Sequence, residues 1–218
     1  MANPSKIVEG GIEFSLGKFD GKLMVYDFPK ILVYLEAKGK MLFGNHFKIY
    51  PEDEKILFLL SNYFIKDEKN CKKYNIDPNK GILISGPVGC GKTSLMRLVK
   101  NIVPHLRQYE VIPARNIVFG FNHIGFKTIE DYGNEGYFCF DDLGAEPTGR
   151  YFGKDCNVMG ELLISRHEYF VQSKIKTHAT TNLIAEEMEG RYGSRVRSRM
   201  RQMFNLVCFD KKTRDKRN

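Results

Sequence analysis

Short apolar segments alternate along this chain with longer segments in which apolar residues recur every three or four positions. The first pattern predicts buried β-strands and the second predicts amphipathic helices. We predict five strands, at residues 81–85, 109–112, 137–140, 177–181 and 205–209. We predict helices at residues 92–103, 115–132 (the least regular segment), 158–171 and 184–203, the last interrupted near Gly190 and Gly193. Strands and helices that alternate in this way are typical of a parallel sheet covered on both faces, so the expected fold class is α/β.

Two more helices precede the first of these strands. Residues 28–38 carry Pro29 near their start and are followed by Gly39, and these are typical start and stop signals of a helix. Residues 52–68 follow a proline and begin with acidic residues, which the helix dipole favours in a first turn. We expect residues 1–45 to form a small N-terminal region ahead of the α/β domain.

A glycine-rich segment joins the first strand of the predicted sheet to the helix that follows it. Residues 86–93 read GPVGCGKT and match the phosphate-binding pattern G-x-x-x-x-G-K-[ST] in its required strand–loop–helix context. Backbone N–H groups would surround the phosphates of ATP, Lys92 would reach the β- and γ-phosphates, and Thr93 would hold Mg²⁺. An ordinary glycine turn is the alternative explanation. The residues predicted to bind ATP are Gly86, Pro87, Val88, Gly89, Cys90, Gly91, Lys92, Thr93 and Ser94.

Two acidic residues end the predicted strand at residues 137–140. Asp141 and Asp142 follow an apolar strand, where carboxylates are unfavourable unless they meet a cation or water. With the glycine-rich segment nearby, Asp141 is the candidate second Mg²⁺ ligand. Asp142 is the candidate that orients or deprotonates the attacking water. A strand end that turns into solvent is the alternative.

The composition, with 42% hydrophobic and 28% charged residues, is that of an ordinary soluble globular protein. The first residues lack the apolar core of a signal peptide, and the densest apolar run, residues 56–60, is far too short to span a bilayer. The five cysteines form no C-x-x-C pair, and the five histidines show no metal-ligand spacing. We therefore expect a cytoplasmic protein without a membrane partner, a zinc site or a disulfide framework.

Positive charge is concentrated near the C-terminus. The formal net charge is +8, and residues 189–218 alone contain ten Arg or Lys residues against three acidic ones. A basic surface of this density is typical of proteins that bind polyanions such as nucleic acid. For residues 211–218, a solvated tail without a binding role is an equally acceptable interpretation.

Three segments together resemble a known group of proteins. Residues 86–93, 137–146 (YFCFDDLGAE) and 180–200 (TTNLIAEEMEGRYGSRVRSRM) are similar to the AAA+ ATPases of the DnaC helicase-loader and IstB transposition-helper branch. The resemblance covers roughly residues 47–210. It implies a P-loop AAA+ core over residues 46–210 with a five-stranded parallel sheet, and a basic tail over residues 211–218. The N-terminal region, residues 1–45, would be where such a protein docks its partner.

The resemblance also implies roles for residues outside the phosphate-binding pattern. Asn182 would be a sensor on the strand between the phosphate-binding loop and the acidic strand, although a helix N-cap is an alternative role that does not exclude the first. An arginine of the last helix would reach the nucleotide of a neighbouring subunit. Arg199 matches that position best and Arg195 second. Arg191, Arg195 and Arg199 recur every four residues, which predicts one shared helix face, and a solvated basic face is the alternative.

Two departures from the family pattern stand out. Fewer than ten residues follow Phe209, so the helical lid domain that usually comes next is expected to be absent or vestigial. Asp142 stands where many AAA+ enzymes have Glu, which leaves the rate of turnover open.

The resemblance implies an ATPase with Mg²⁺ whose activity depends on self-assembly into an ATP-bound homo-oligomer. The first functional hypothesis is a DNA replication protein like DnaC, acting on single-stranded DNA and a replicative helicase. The second is an IstB-like helper that serves a transposase or recombinase. A small-molecule P-loop kinase and a nucleotide-switched DNA-binding module with negligible turnover are the alternatives from other classes.

Overall fold

The computed structural model describes residues 5–217, which form two compact units. The first unit comprises residues 5–74 and Arg97–Leu106. The second comprises Asn75–Met96 and residues 107–217. The expected division into an N-terminal region that ends at residue 45, a core over residues 46–210 and a basic tail stays a prediction. No helix within residues 5–217 combines the length and the apolar character needed to cross a bilayer.

The first unit contains two β-hairpins and three helices. The sequence pattern gave no indication of the hairpins, because their strands are only three or four residues long and largely exposed. The elements are β1 (Lys6–Glu9), β2 (Ile12–Ser15), β3 (Gly17–Phe19), β4 (Met24–Tyr26), α1 (Phe28–Phe43), α2 (Pro51–Phe64) and α3 (Glu68–Lys73), and a 3₁₀ turn follows later at Lys100–Ile102.

The predicted end of α1 at Gly39 is wrong. The helix continues through this glycine to Phe43 and ends before Gly44, whose φ of 99° favours glycine. Gly39 is needed for packing instead, because a Cβ at this position would lie 2.2 Å from the ring of Phe47. The helix predicted over residues 52–68 ends earlier, at Phe64. A separate helix, α3, follows, and Asp67 caps it by accepting a hydrogen bond from the N–H of Asn70.

The second unit is built on the predicted five-stranded parallel sheet with helices around it. Its strand order is β11–β5–β10–β7–β6, and every neighbouring pair is parallel. The strands are β5 (Gly81–Ser85), β6 (Glu110–Pro113), β7 (Phe138–Leu143), β10 (Thr177–Thr181) and β11 (Phe204–Cys208), and a small antiparallel hairpin is formed by β8 (Gly149–Tyr151) and β9 (Lys154–Cys156). The α/β prediction is confirmed.

The helices of this unit match the predicted segments, except that the helix predicted over residues 92–103 ends at Val99 and the one predicted over residues 115–132 is divided. They are α4 (Lys92–Val99, whose last three residues belong to the first unit), α5 (Ala114–Ile124), α6 (Lys127–Tyr132), α7 (Val158–Ser173) and α8 (Ala185–Met203). The predicted helix over residues 115–132 is divided at Gly125, where φ is 63°. In α8, Gly193 has φ 84° and ψ 159°, which produces the predicted interruption.

The main core of the second unit lies on one face of the sheet. Side chains of all five strands, such as Phe140 and Ala179, are buried there against apolar residues of α5, α7 and α8, such as Phe121, Leu162 and Met200. Burial of this apolar area holds α8 and the sheet together. Because β5, β10 and β7 are parallel neighbours in the sheet, their carboxyl ends lie side by side. Parallel α/β sheets bind ligands at this edge.

Candidate active site

The glycine-rich loop, residues 86–91, connects β5 to α4. Gly89 has φ 77° and Gly91 has φ 102°, which are left-handed conformations that other residues rarely adopt. At Gly86, a Cβ would lie 2.7 Å from Cβ of Phe209 and 3.2 Å from Sγ of Cys90. The loop therefore requires glycine at these positions for two reasons, backbone conformation and close packing.

Lys92 is the first residue of α4, and only 5% of it is exposed. Its ammonium donates hydrogen bonds to the carbonyl oxygens of Gly86 (2.9 Å) and Pro87 (2.8 Å) and to Oδ1 of Asn182 (2.5 Å). Burial is the main cause that lowers the pKa of Lys92. Its three oxygen acceptors are uncharged, so an anionic phosphate entering the loop would be a stronger partner.

Thr93 and Asp141 meet at the carboxyl end of β7. Oδ1 of Asp141 accepts hydrogen bonds from the hydroxyls of Thr93 (2.7 Å) and Thr180 (2.6 Å), and Asp141 is 6% exposed. A hydroxyl and a buried carboxylate at this separation are oxygen ligands that Mg²⁺ accepts, and Mg²⁺ sites on phosphate loops need only one or two protein ligands besides the phosphates. The two residues fit the predicted Mg²⁺ site.

Asp142 lies in a β-bulge. Ala179 of β10 pairs with Phe140 of β7, but Thr181 pairs with Leu143, so two residues of β7 face one residue of β10. The strand β7 includes both acids and ends one residue later, at Leu143, so the acids lie close to the strand end as predicted.

The bulge changes the direction of the chain at Asp142. Its φ is 55°, a conformation that Asp tolerates better than most residues, and its N–H donates to the Thr180 hydroxyl (2.9 Å). The side chain reaches solvent, yet desolvation by the surrounding protein raises the pKa of its carboxyl, and the charge of Asp141 raises it further. The two carboxyls therefore have different environments: Asp141 is held by hydroxyls and Asp142 is presented at the surface.

Asn182 follows β10, and β10 lies between β5 and β7 as predicted. Its hydrogen bond from Lys92 brings it to the phosphate loop. The alternative role as a helix N-cap is wrong, because α8 begins at Ala185 and the residue before it is Ile184. The N–H of Ile184 donates to the side chain of Glu187 (2.9 Å), which leaves Asn182 outside the cap.

The arginines of α8 do not share one uninterrupted face. The kink at Gly193 separates Arg191 from Arg195 and Arg199, and Arg191 turns back to donate a hydrogen bond to the carbonyl oxygen of Glu146 (2.5 Å). Beyond the kink, Arg195 is exposed and Arg199 is half-buried. Their role toward a neighbouring subunit stays a prediction.

Glu146 and Tyr192 were missed by sequence reasoning. The Tyr192 hydroxyl donates to Oε1 of Glu146 at 2.7 Å, and the N–H of Gly144 donates to Oε2 at 2.7 Å. The Glu146 side chain is 1% exposed. This buried carboxylate fixes the turn that follows Asp142 and ties it to α8. The sequence offered one indication of this role, which is that Glu146 ends the DDLGAE segment that contains the two acids.

An open cavity of about 600 Å³ adjoins the phosphate loop. This volume is within the usual range for small-molecule sites. Its lining is largely apolar and includes Gly86, Pro87, Asn182, Leu183, Ile184 and Phe209. The loop therefore borders a space larger than the phosphates alone require.

Comparisons with known proteins agree with this architecture. No protein-family model and no curated protein sequence matches the chain. Among solved structures, the crystal structure of the DnaC helicase loader matches with a TM-score of 0.54 and 19% identity, over 74% of this chain and 92% of that one. The structure of AMPPCP-bound DnaA from Aquifex aeolicus matches with a TM-score of 0.51 and 17% identity, over 75% of this chain and 48% of that one. The chain thus has the P-loop AAA+ fold, and the resemblance to DnaC inferred from its motifs is confirmed at the level of the fold.

Proposed function

We propose that this protein binds ATP with Mg²⁺ and hydrolyses it. The observation that carries the proposal is the convergence of Lys92, Thr93, Asp141 and Asn182 at the carboxyl ends of three adjacent strands. Each of the first three matches a part that P-loop nucleotide sites use: a lysine for the phosphates, a hydroxyl for Mg²⁺ and a strand-end carboxylate beside it.

The loop and α4 bind the triphosphate in this proposal. The N–H groups of residues 86–93 and the N-terminus of α4 surround the phosphates. The Lys92 ammonium exchanges its carbonyl partners for phosphate oxygens. Thr93 and Asp141 would hold Mg²⁺, which would neutralise charge that develops on the phosphate oxygens.

Asp142 and Asn182 act on the attacking water. The water oxygen attacks the γ-phosphorus while the Asp142 carboxylate accepts a proton from the water. The bond between the γ-phosphorus and the oxygen that bridges to the β-phosphate breaks, and ADP is the leaving group. The Asn182 amide, aligned by its contact with Lys92, orients the water. The hydrogen bonds that hold Asp141 and the bulge at Asp142 support this division of roles between the two acids.

A second copy of the chain completes the site in this proposal. Arg199, or Arg195 in second place, reaches the γ-phosphate of the neighbouring subunit and stabilises charge in the transition state. The side chain of Arg199 makes no hydrogen bond or ion pair within residues 5–217, which supports a guanidinium that is not fixed by its own subunit. Turnover then depends on ATP-driven assembly.

We place this activity in DNA replication in the cytoplasm, with single-stranded DNA and a replicative helicase as partners. The likeness of fold to the DnaC helicase loader and the basic C-terminal thirty residues support this proposal. Contacts of Arg and Lys with DNA phosphates would make binding fall steeply as salt increases.

The decisive experiment measures release of inorganic phosphate from ATP as a function of protein concentration, with and without single-stranded DNA. We expect specific activity to increase with concentration and to respond to DNA, and the Lys92→Ala variant to be inactive. Specific activity that does not change with concentration would exclude the shared site. Phosphate transfer to a nucleoside or small metabolite without DNA would favour a kinase instead.

A further inference from the structure

The chain turns back onto the phosphate loop after β11. The N–H of Phe209 donates to the carbonyl of Ser85 (2.9 Å), and a turn follows in which the N–H of Thr213 donates to the carbonyl of Asp210 (3.0 Å). The segment formed by residues 210–217, here called the strap, then runs along the loop between β5 and α4. Its direction is therefore set by backbone hydrogen bonds at its start.

Lys216 attaches the strap to two successive residues of the loop. Its N–H donates to the carbonyl of Gly89 (3.1 Å), and its ammonium donates to the carbonyl of Cys90 (2.8 Å). The ammonium also lies 5.2 Å from the centre of the Phe209 ring, within the range of a cation–π contact. The fit is close, because a Cβ on Gly89 would lie 2.0 Å from Oδ1 of Asp215.

Neither of the two hydrogen bonds from Lys216 uses an N–H group of the loop. Both hydrogen bonds from Lys216 are made to carbonyl oxygens, whereas phosphates bind to the N–H groups of such loops. The strap and a bound triphosphate therefore use opposite polar groups of the same peptide segment.

Arg217 brings a second cation to the site. Its side chain is 69% exposed, with Nε 3.9 Å from Oδ1 of Asp215. Burial is the main cause that lowers the pKa of Lys92, and the charge of Arg217 lowers it further; Arg217 likewise opposes the rise in the pKa of Asp142. Arg217 is therefore within electrostatic reach of Lys92 and Asp142, the two residues proposed to act at the γ-phosphate.

We propose that the strap is a phosphate clamp in cis, in which Lys216 and Arg217 bind the phosphates of the nucleotide held by the loop. This inference rests on the proposed nucleotide site. It assigns to residues 210–217 a role in that site that neither the phosphate-binding pattern nor the solvated-tail interpretation includes. The strap contains five basic and two acidic residues, so it carries the net positive charge that a triphosphate attracts.

The test measures affinity for fluorescent ATP, ADP and adenosine analogues in the presence of Mg²⁺, using the full chain and a Lys216→Ala/Arg217→Ala variant. We expect the variant to bind ATP at least about tenfold more weakly, the effect to be smaller for ADP, and adenosine binding to be unchanged. A Lys216→Arg/Arg217→Lys variant, which conserves both charges, should regain most of the affinity for ATP.

An Arg150→Ala/Lys154→Ala variant is the matched control, because it removes two exposed cations from the β8–β9 hairpin of the same unit. It should bind all three ligands as the unmodified protein does. Equal loss in this control would mean that total charge, and not the strap, determines affinity.

Each remaining outcome has one meaning. Unchanged affinity in the Lys216→Ala/Arg217→Ala variant overturns the clamp while the nucleotide site stands. Tighter binding of ATP overturns it as well, because the strap would then compete with the nucleotide. If the unmodified chain binds neither ATP nor ADP, the proposed function itself fails, and the clamp fails with it.

Discussion

The Tyr192 hydroxyl donates a hydrogen bond of 2.7 Å to the buried carboxylate of Glu146, across 46 residues of chain. The same carboxylate accepts from the N–H of Gly144, two residues beyond Asp142. Burial raises the pKa of the Tyr192 hydroxyl, and the nearby Glu146 carboxylate raises it further, so the phenol remains protonated as the donor. The contact joins α8 to the turn that follows the acidic pair.

Replacing Tyr192 by Phe should destabilise the protein without changing its packing volume much. Oε1 of the buried Glu146 carboxylate would lose this hydrogen bond and keep only the longer ion pair with Arg191 at 3.5 Å. Loss of a partner at a buried polar group typically costs about 1–3 kcal/mol. We expect the urea midpoint to decrease accordingly, as followed by circular dichroism. Tyr151→Phe is the matched control, because the Tyr151 hydroxyl makes no hydrogen bond within the described residues. Equal midpoints for the two variants would show that the Glu146 contact contributes nothing.

Arg199→Ala should retain ATP binding and lose most turnover, by a factor on the order of 10³ if it acts as an arginine finger. Lys92→Ala should fail to bind ATP. Mixing the two inactive variants is the sharper measurement, because mixed assemblies pair an intact loop of one subunit with an intact Arg199 of the other. We expect phosphate release to reappear in the mixture.

Two results would contradict this assignment. One is normal hydrolysis by Arg199→Ala at high protein concentration. The other is a mixture as inactive as its components although chromatography shows that they assemble together. If Arg195→Ala loses turnover and Arg199→Ala does not, the finger is Arg195.

Asp141→Asn should uncouple nucleotide binding from Mg²⁺. An amide oxygen can still accept hydrogen bonds from Thr93 and Thr180, so the local structure is expected to persist. The lost negative charge removes a preferred Mg²⁺ ligand. Chelation of Mg²⁺ should therefore weaken ATP binding strongly in the unmodified protein and only slightly in the variant, as measured by calorimetry. Equal responses to chelation would place the metal elsewhere.

His178 should make stability depend on pH. Burial lowers its pKa to about 3, the charges of Lys176 and Arg166 add to this, and its Nδ1 accepts a hydrogen bond from the N–H of Ile82. The folded protein thus keeps a neutral imidazole that the unfolded chain protonates below about pH 6.5. Stability should be fully present above this pH and should decrease as the pH falls toward 3, by up to about 1.4 kcal/mol per pH unit.

Nuclear magnetic resonance provides the direct measurement for His178. The imidazole Cε1–H resonance should stay constant between pH 8 and pH 5 while the protein remains folded. A midpoint near 6.5 in the folded state would show that the ring is solvated and would remove the expected pH dependence.

Local pattern was sufficient to predict the five strands and the phosphate loop. Residues 81–85, the loop and α4 are contiguous in the chain. The apolar residues of the strand, the glycines of the loop and the apolar face of the helix can therefore all be recognised within one short segment of sequence. Lys92 and Thr93 could be assigned for the same reason. Asn182 was placed beside the loop only through the family resemblance, which supplied the strand order.

Long-range packing decided the rest. The bulge at Asp142 depends on how β7 aligns with β10, the contact between Glu146 and Tyr192 joins residues 46 positions apart, and Lys216 meets Cys90 across 126 positions. Gly39 was predicted to end a helix but lies inside one, and glycine is needed there because the ring of Phe47 occupies the space that a side chain would take. A sequence pattern expresses the preference of a segment for its own conformation, whereas the partner of each donor and acceptor is chosen only when distant segments come together.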